Sequence, residues 1–223
     1  MMAVWLGDKI PDDWPDINTT EGSINLCEYW RDRWGMLFSV PTGFSPVSTM
    51  ELGTLASLIP EFTKRNVKCI ALCYAECSVD LDEWIKDILV YNKLSTLGYP
   101  IIADPINLTI DLGIQDLDQN FDCGRAPAGR SVLIVGPDRR LKANLTYPGT
   151  TGRNFDEILR LIDSLQLCAD KKVETPPNWK IGDECMIPAT VSEENAGMKF
   201  PQYALKQVPS GKKYMRIIPQ AQR

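Results

Sequence analysis

A chain of 223 residues that is 44% hydrophobic and 24% charged can bury a sizeable core and is too apolar to remain disordered. Its 29 acidic residues against 24 basic ones give a formal charge of -5, and the basic residues are scattered apart from Lys171-Lys172 and Lys212-Lys213, which excludes a nucleic-acid footprint. Histidine is absent throughout, and with it the commonest general base, pH switch and zinc ligand.

The opening apolar run, Met1 through Gly7, stops at Asp8-Lys9 without a basic leader region, so no export signal is expected there. No stretch suggests a membrane span. Seven cysteines (Cys27, Cys69, Cys73, Cys77, Cys123, Cys168 and Cys185) with no CxxC pair then point to reduced thiols and a cytoplasmic setting. Cys69, Cys73 and Cys77 are evenly spaced along an apolar run and the loop that follows it. That pattern suits small buried residues better than a thiolate metal site, and neither a metal nor a cofactor is expected.

In chain order, residues 34–40 form an apolar run ended by Pro41, read as a buried strand. From Met50 onward Leu52, Leu55, Ile59 and Phe62 recur at helical spacing. Residues 67–72 read as a second strand, Leu81, Trp84, Ile85, Ile88 and Leu89 as a second amphipathic helix, and residues 100–104 as a third strand. A short helix is expected over 107–113. Two runs, 131–135 and 141–147, flank Gly136-Pro137-Asp138 and predict an antiparallel hairpin. Phe155, Ile158, Leu159, Ile162 and Leu165 then mark a strongly periodic helix. This β-α-β-α-β order closed by β-β-α predicts an α/β, thioredoxin-like fold over 1–168. Beyond Cys168 the turn-rich texture, with short strands near 186–187 and 214–218, predicts a small C-terminal domain or arm over 169–223.

Ser48 and Glu51 have the spacing of a capping box, a hydroxyl at a helix start and a carboxylate three residues on, so Ser48 reads first as an N-cap. A helix N-terminus also favours an anion or a lowered thiol pKa. Covalent serine catalysis is not expected at Ser48, because the chain has no histidine to take its proton and no GxSxG elbow.

Three motifs resemble the one-cysteine peroxiredoxins. Pro41, Ser45 and Ser48 are similar to the Pro-x-x-x-Thr/Ser-x-x-Cys loop of that family. Arg130, ahead of Ser131-Val132-Leu133-Ile134, matches its arginine. The block Tyr147-Pro148-Gly149-Thr150-Thr151-Gly152-Arg153-Asn154 is similar to its Tyr-Pro-Ala-Thr-Thr-Gly-Arg-Asn. The resemblance implies a thioredoxin-like fold with a small C-terminal domain, and a site in which a thiolate attacks a peroxide and becomes a sulfenic acid. It further implies that Pro41 shields the pocket, Ser45 bonds the peroxide, Arg130 holds thiolate and peroxide, Glu51 orients the arginine, and Arg153 supports the site. Ser48 stands at the nucleophile's position, where oxygen has no counterpart of the sulfenate.

The family's Phe-Ser-His-Pro-Arg-Asp-Phe-Thr-Pro is here Phe38-Ser39-Val40-Pro41-Thr42-Gly43-Phe44-Ser45-Pro46, so three further polar groups beside the site are absent. The family's lipid-hydrolysing triad is matched by Arg33, Cys27 and Asp138, of which only the aspartate is retained. Two readings follow. The first is a catalytically silent member acting as a structural or binding subunit. The second is an active parent, reducing hydrogen peroxide and organic hydroperoxides, whose cysteine was changed to serine, or in which Cys27, Cys77 or Cys123 has taken over. By analogy a homodimer through residues 141–145 and the C-terminal arm is expected, within a larger assembly or alone, with a small peroxide or anion as candidate occupant of the residual pocket.

Overall fold

The first unit, residues 1–153, is built on a seven-stranded sheet. The computed structural model describes residues 4–11, 14–74, 80–104, 107–119 and 126–219. In chain order the elements of this unit are β1 (Ile17–Thr19), β2 (Gly22–Ile24), α1 (Leu26–Tyr29), β3 (Trp34–Val40), α2 (Pro46–Lys64), β4 (Val67–Tyr74), α3 (Leu81–Asn92), β5 (Ile101–Asp104), α4 (Asn107–Asp111), β6 (Arg130–Val135) and β7 (Leu141–Tyr147). The sheet order is β2-β1-β5-β4-β3-β6-β7. β3, β4 and β5 run parallel, joined by α2 and α3, while β6 lies antiparallel to β3 and pairs with β7 as the predicted hairpin. This is the thioredoxin-like α/β order.

Every residue of β3 is buried, which is why it reads as an unbroken apolar run rather than an alternating one. On one face Leu37 aligns with Ile70 and Leu133, and these pack with Leu72, Ile102, Trp14, Leu26, Trp30 and Leu112. α2 packs on β4 and on α3. Trp84 of α3 is fully buried and its indole donates to Thr49 Oγ1 at 2.9 Å. Asn92 Nδ2 donates to Thr49 O at 3.3 Å and Ile88 O at 2.8 Å, which places its amide against Gly53. A Cβ at position 53 would lie 2.0 Å from Asn92 Cγ. Gly53→Ala therefore loses more through overpacking than it gains in helix propensity, and we expect it to destabilise by about 1–3 kcal/mol. Chemical denaturation checks this; an unchanged or raised midpoint contradicts it.

The second unit, residues 154–223, begins with α5 (Phe155–Lys171), whose N-cap Asn154 accepts from the backbone N–H groups of Asp156 and Glu157. It continues through β8 (Cys185–Met186), α6 (Glu193–Lys199), β9 (Ala204–Leu205) and β10 (Arg216–Ile218), the strands forming a sheet of order β8-β10-β9. Its core contains Leu167, Val173, Trp179, Cys185, Ile187, Ala196 and Ile218. The division expected at residue 168 would cut α5, whose Leu167 belongs to this core.

Several elements differ from the sequence reading. α2 starts at Pro46 rather than Met50, because proline at the first helical position presets φ and lacks the N–H that would go unbonded there. β1, β2, α1, α6 and β9 carry no predicted counterpart. Cys27 lies in α1 and is half-buried.

Candidate functional site

The turn after β3 carries buried Pro41, half-buried Thr42 and buried Gly43 before α2 begins. Phe44 follows in a left-handed conformation (φ 52°), and Ser45 is the N-cap of α2, with extended backbone and no capping bond from its side chain. Ser45 instead accepts through its carbonyl from Thr49 N and Thr49 Oγ1, both at 2.9 Å. Ser48 therefore sits inside the first turn and is not the cap, which corrects the capping-box reading. Glu51 does not reach back to it; its carboxylate is held by two arginines.

Ser48 is fully buried, and its hydroxyl oxygen accepts from Arg130 Nη1 at 3.3 Å. The same nitrogen donates to Glu51 Oε2 at 2.7 Å, and Arg130 Nε donates to Gly149 O at 2.8 Å. Gly149 is positioned in turn by its N–H, which donates to Asp116 Oδ2 at 2.9 Å. Arg153 grips the other side of the carboxylate, its backbone N–H and Nε donating to Glu51 Oε1 at 2.8 and 3.0 Å and its Nη2 to Oε2 at 2.8 Å. Its Nη1 donates to Ser131 O at 2.9 Å, and its guanidinium carbon stands 3.2 Å from the centre of the Phe38 ring. Sequence separation hides this cluster: α2, β6 and the loop after β7 meet only because β6 pairs with β3.

Two buried guanidinium groups share one buried carboxylate, so the cluster carries one more positive than negative charge beside Ser48. Burial pushes the Glu51 carboxyl up, but hydrogen bonds and charge from Arg153, with Arg130 adding, outweigh it and hold the group below its ordinary value. Burial lowers Arg153 to about 10 against the opposing pull of Glu51, which leaves it cationic at neutral pH. An arrangement of this kind stabilises an anion at the position of the Ser48 oxygen. A serine hydroxyl, with no base to take its proton, does not supply one.

The described thiols of the first unit make no hydrogen bond to this cluster. Cys69 and Cys73 are buried in β4, where desolvation raises Cys69 strongly and Cys73 to about 12, so neither is a thiolate at neutral pH. Cys27 donates through Sγ to Pro11 O at 3.2 Å, and burial raises its pKa as well. Cys77 and Cys123 lie outside the described residues. Asp138 is engaged by Lys142 Nζ at 2.5 Å in the β6–β7 turn, and no hydrogen bond among the described residues joins it to Cys27 or Arg33. No helix among those residues is long and apolar enough to cross a membrane.

Residues 6–144 match the model of the AhpC/TSA family. The chain is 48% identical over 225 residues to peroxiredoxin-6 of Gallus gallus, covering 99% of each. Among solved structures it superposes on a cysteine-to-serine mutant of the peroxiredoxin 6 of Arenicola marina with a TM-score of 0.92 at 44% identity, covering 99% of this chain and 100% of the other. A mitochondrial 1-Cys peroxiredoxin of yeast gives 0.85 at 37% identity, covering 97% and 100%.

Proposed function

The chain belongs to the AhpC/TSA family and, within it, to the peroxiredoxins, and we propose that this member is silent as a peroxidase and serves as a structural or binding subunit. The observation that carries the reading is the atom beside the Arg130 guanidinium: it is the oxygen of Ser48, 3.3 Å from Nη1, and no hydrogen bond joins the cluster to Cys27, Cys69 or Cys73, the described thiols of the first unit. Attack on a peroxide needs a nucleophile that accepts the transferred oxygen and is later reduced, and serine forms no such intermediate. Pro41, Ser45, Arg130, Glu51 and Arg153 are then supporting positions retained around an absent sulfur. The competing reading, an active parent with its cysteine replaced, leaves Val40, Thr42 and Gly43 unexplained. A coupled peroxide-consumption assay on the purified chain is expected to match a blank without protein; turnover above that blank sinks the proposal.

As a subunit the chain has an available edge. β7 lies at one end of the sheet; its first residue, Leu141, is bonded there to Gly7 and Asp8, and the outer side of the strand beyond it is an edge of unpaired backbone groups. We expect a homodimer formed by antiparallel pairing of β7 with its copy, in the cytoplasm, where the unpaired thiols stay reduced. Sedimentation equilibrium should give twice the chain mass at micromolar concentration, and a monomer there contradicts the pairing.

A further inference from the structure

The second unit contains a cavity of about 640 Å³ that the peroxiredoxin site does not use. It lies between the end of α5, the turn after α6 and the end of β10. Its floor is apolar: Val191, Phe200 and Tyr203 pack against the core of this unit while remaining only half-buried, and Ile218 and Pro219 complete the wall. Its rim is cationic, with Lys171, Lys172 and Lys199 against the single carboxylate of Asp170.

These lysines are not equivalent. Lys171 Nζ pairs with Asp170 Oδ2 at 3.0 Å, and Lys172 Nζ donates to Ala169 O at 2.6 Å, where it answers the carbonyls at the end of α5. Lys199, the last residue of α6, has no ion pair or side-chain hydrogen bond among the described residues and stays exposed at the mouth. An ammonium without an internal partner above half-covered aromatic and aliphatic side chains selects a ligand with one negative head and an apolar body. The volume lies in the range of small-molecule sites.

We propose that this cavity binds an amphipathic monoanion, an alkyl or aryl carboxylate or sulfonate, with its chain over Phe200, Tyr203 and Ile218 and its head at Lys199. Alkyl and aryl anions share that head and body, so both kinds of probe should occupy the same cavity. Isothermal titration of the full-length protein with dodecanoate and with an anilinonaphthalene sulfonate should show saturable one-to-one binding, with each displacing the other. Acetate, which has the head alone, should not compete.

Dodecanol, which has the chain alone, should bind roughly tenfold more weakly than dodecanoate. Lys199→Glu should weaken dodecanoate by at least about tenfold, with dodecanol unaffected and the melting temperature unchanged, and Lys199→Arg should restore binding. Equal affinity for alcohol and acid, or indifference to Lys199→Glu, overturns the assignment. So does the absence of saturable binding, including the case in which a second copy or the end of the chain covers the cavity. Peroxide turnover reads out none of this, so the two proposals fail separately.

Discussion

Ser48→Cys is expected to turn a chain that matches the blank into one that consumes hydrogen peroxide. The groups that would act on the new sulfur are already placed: Arg130 Nη1 reaches the side-chain position from 3.3 Å, and Glu51 and Arg153 fix that guanidinium from the other side. With serine, the cluster holds two positive charges against one negative. A thiolate would bring it to neutrality, so the buried charges that are unbalanced now become a reason for the thiol to ionise. The first turn of α2 adds its partial positive charge at the same point. The thiol should accordingly titrate below about 7, against about 8.5 for a free cysteine, which the ultraviolet absorbance of the thiolate can follow. Its attack on the O–O bond leaves a sulfenic acid and expels hydroxide, to be protonated to water, and mass spectrometry of the Ser48→Cys protein should find the added oxygen at position 48. With a thiol reductant present to return the sulfenic acid to the thiol, turnover will be weak, since Val40, Thr42 and Gly43 leave the site without the polar groups that the resemblance implies there. A Ser48→Cys chain with an ordinary thiol pKa and no sulfenic acid would mean that the arginine cluster no longer serves a nucleophile.

How much of this was legible in the sequence depends on how far apart the partners lie. β3, β4 and the β6–β7 hairpin could be read because buried parallel strands and a Pro-Asp turn leave local patterns. β1 and β2 could not, since three-residue strands built from Asn18, Thr19, Gly22 and Ser23 carry no apolar run and owe their pairing to the edge beside β5. α6 does carry a local signal: Ser192 accepts from Asn195 N ahead of two glutamates, an ordinary helix start. Ser48 shows the opposite failure. Its spacing to Glu51 is that of a capping box, but Pro46 set the helix start earlier, and the carboxylate found buried arginines instead of a backbone N–H. The identities of Arg130 and Arg153 came from resemblance. Their sharing of Glu51, the Gly149 carbonyl and the Phe38 ring came only from the fold.

Glu51→Gln should be the most damaging single change near the site, costing about 3–5 kcal/mol, or a fall of roughly 10 °C in melting temperature for a chain of this size. Glutamine keeps the shape and an acceptor oxygen, so the loss isolates charge: two guanidinium groups would remain buried with no anion between them. Removing one cation should relieve part of that strain, so Glu51→Gln combined with Arg130→Gln should cost less than the sum of the two single changes. The pH dependence gives an independent readout. The Glu51 carboxyl is held below its ordinary value in the folded chain, burial being outweighed by Arg153 and Arg130, whereas in the unfolded chain it titrates near 4.3. Its contribution is therefore complete above that unfolded value and disappears as pH falls through the lower folded one. The gap in stability between the unaltered chain and the Glu51→Gln variant should be constant from neutral pH down to about 5 and close at more acidic pH. A gap that stays constant into acid would show that position 51 acts through packing rather than charge, and would remove the electrostatic argument for an anion beside Ser48.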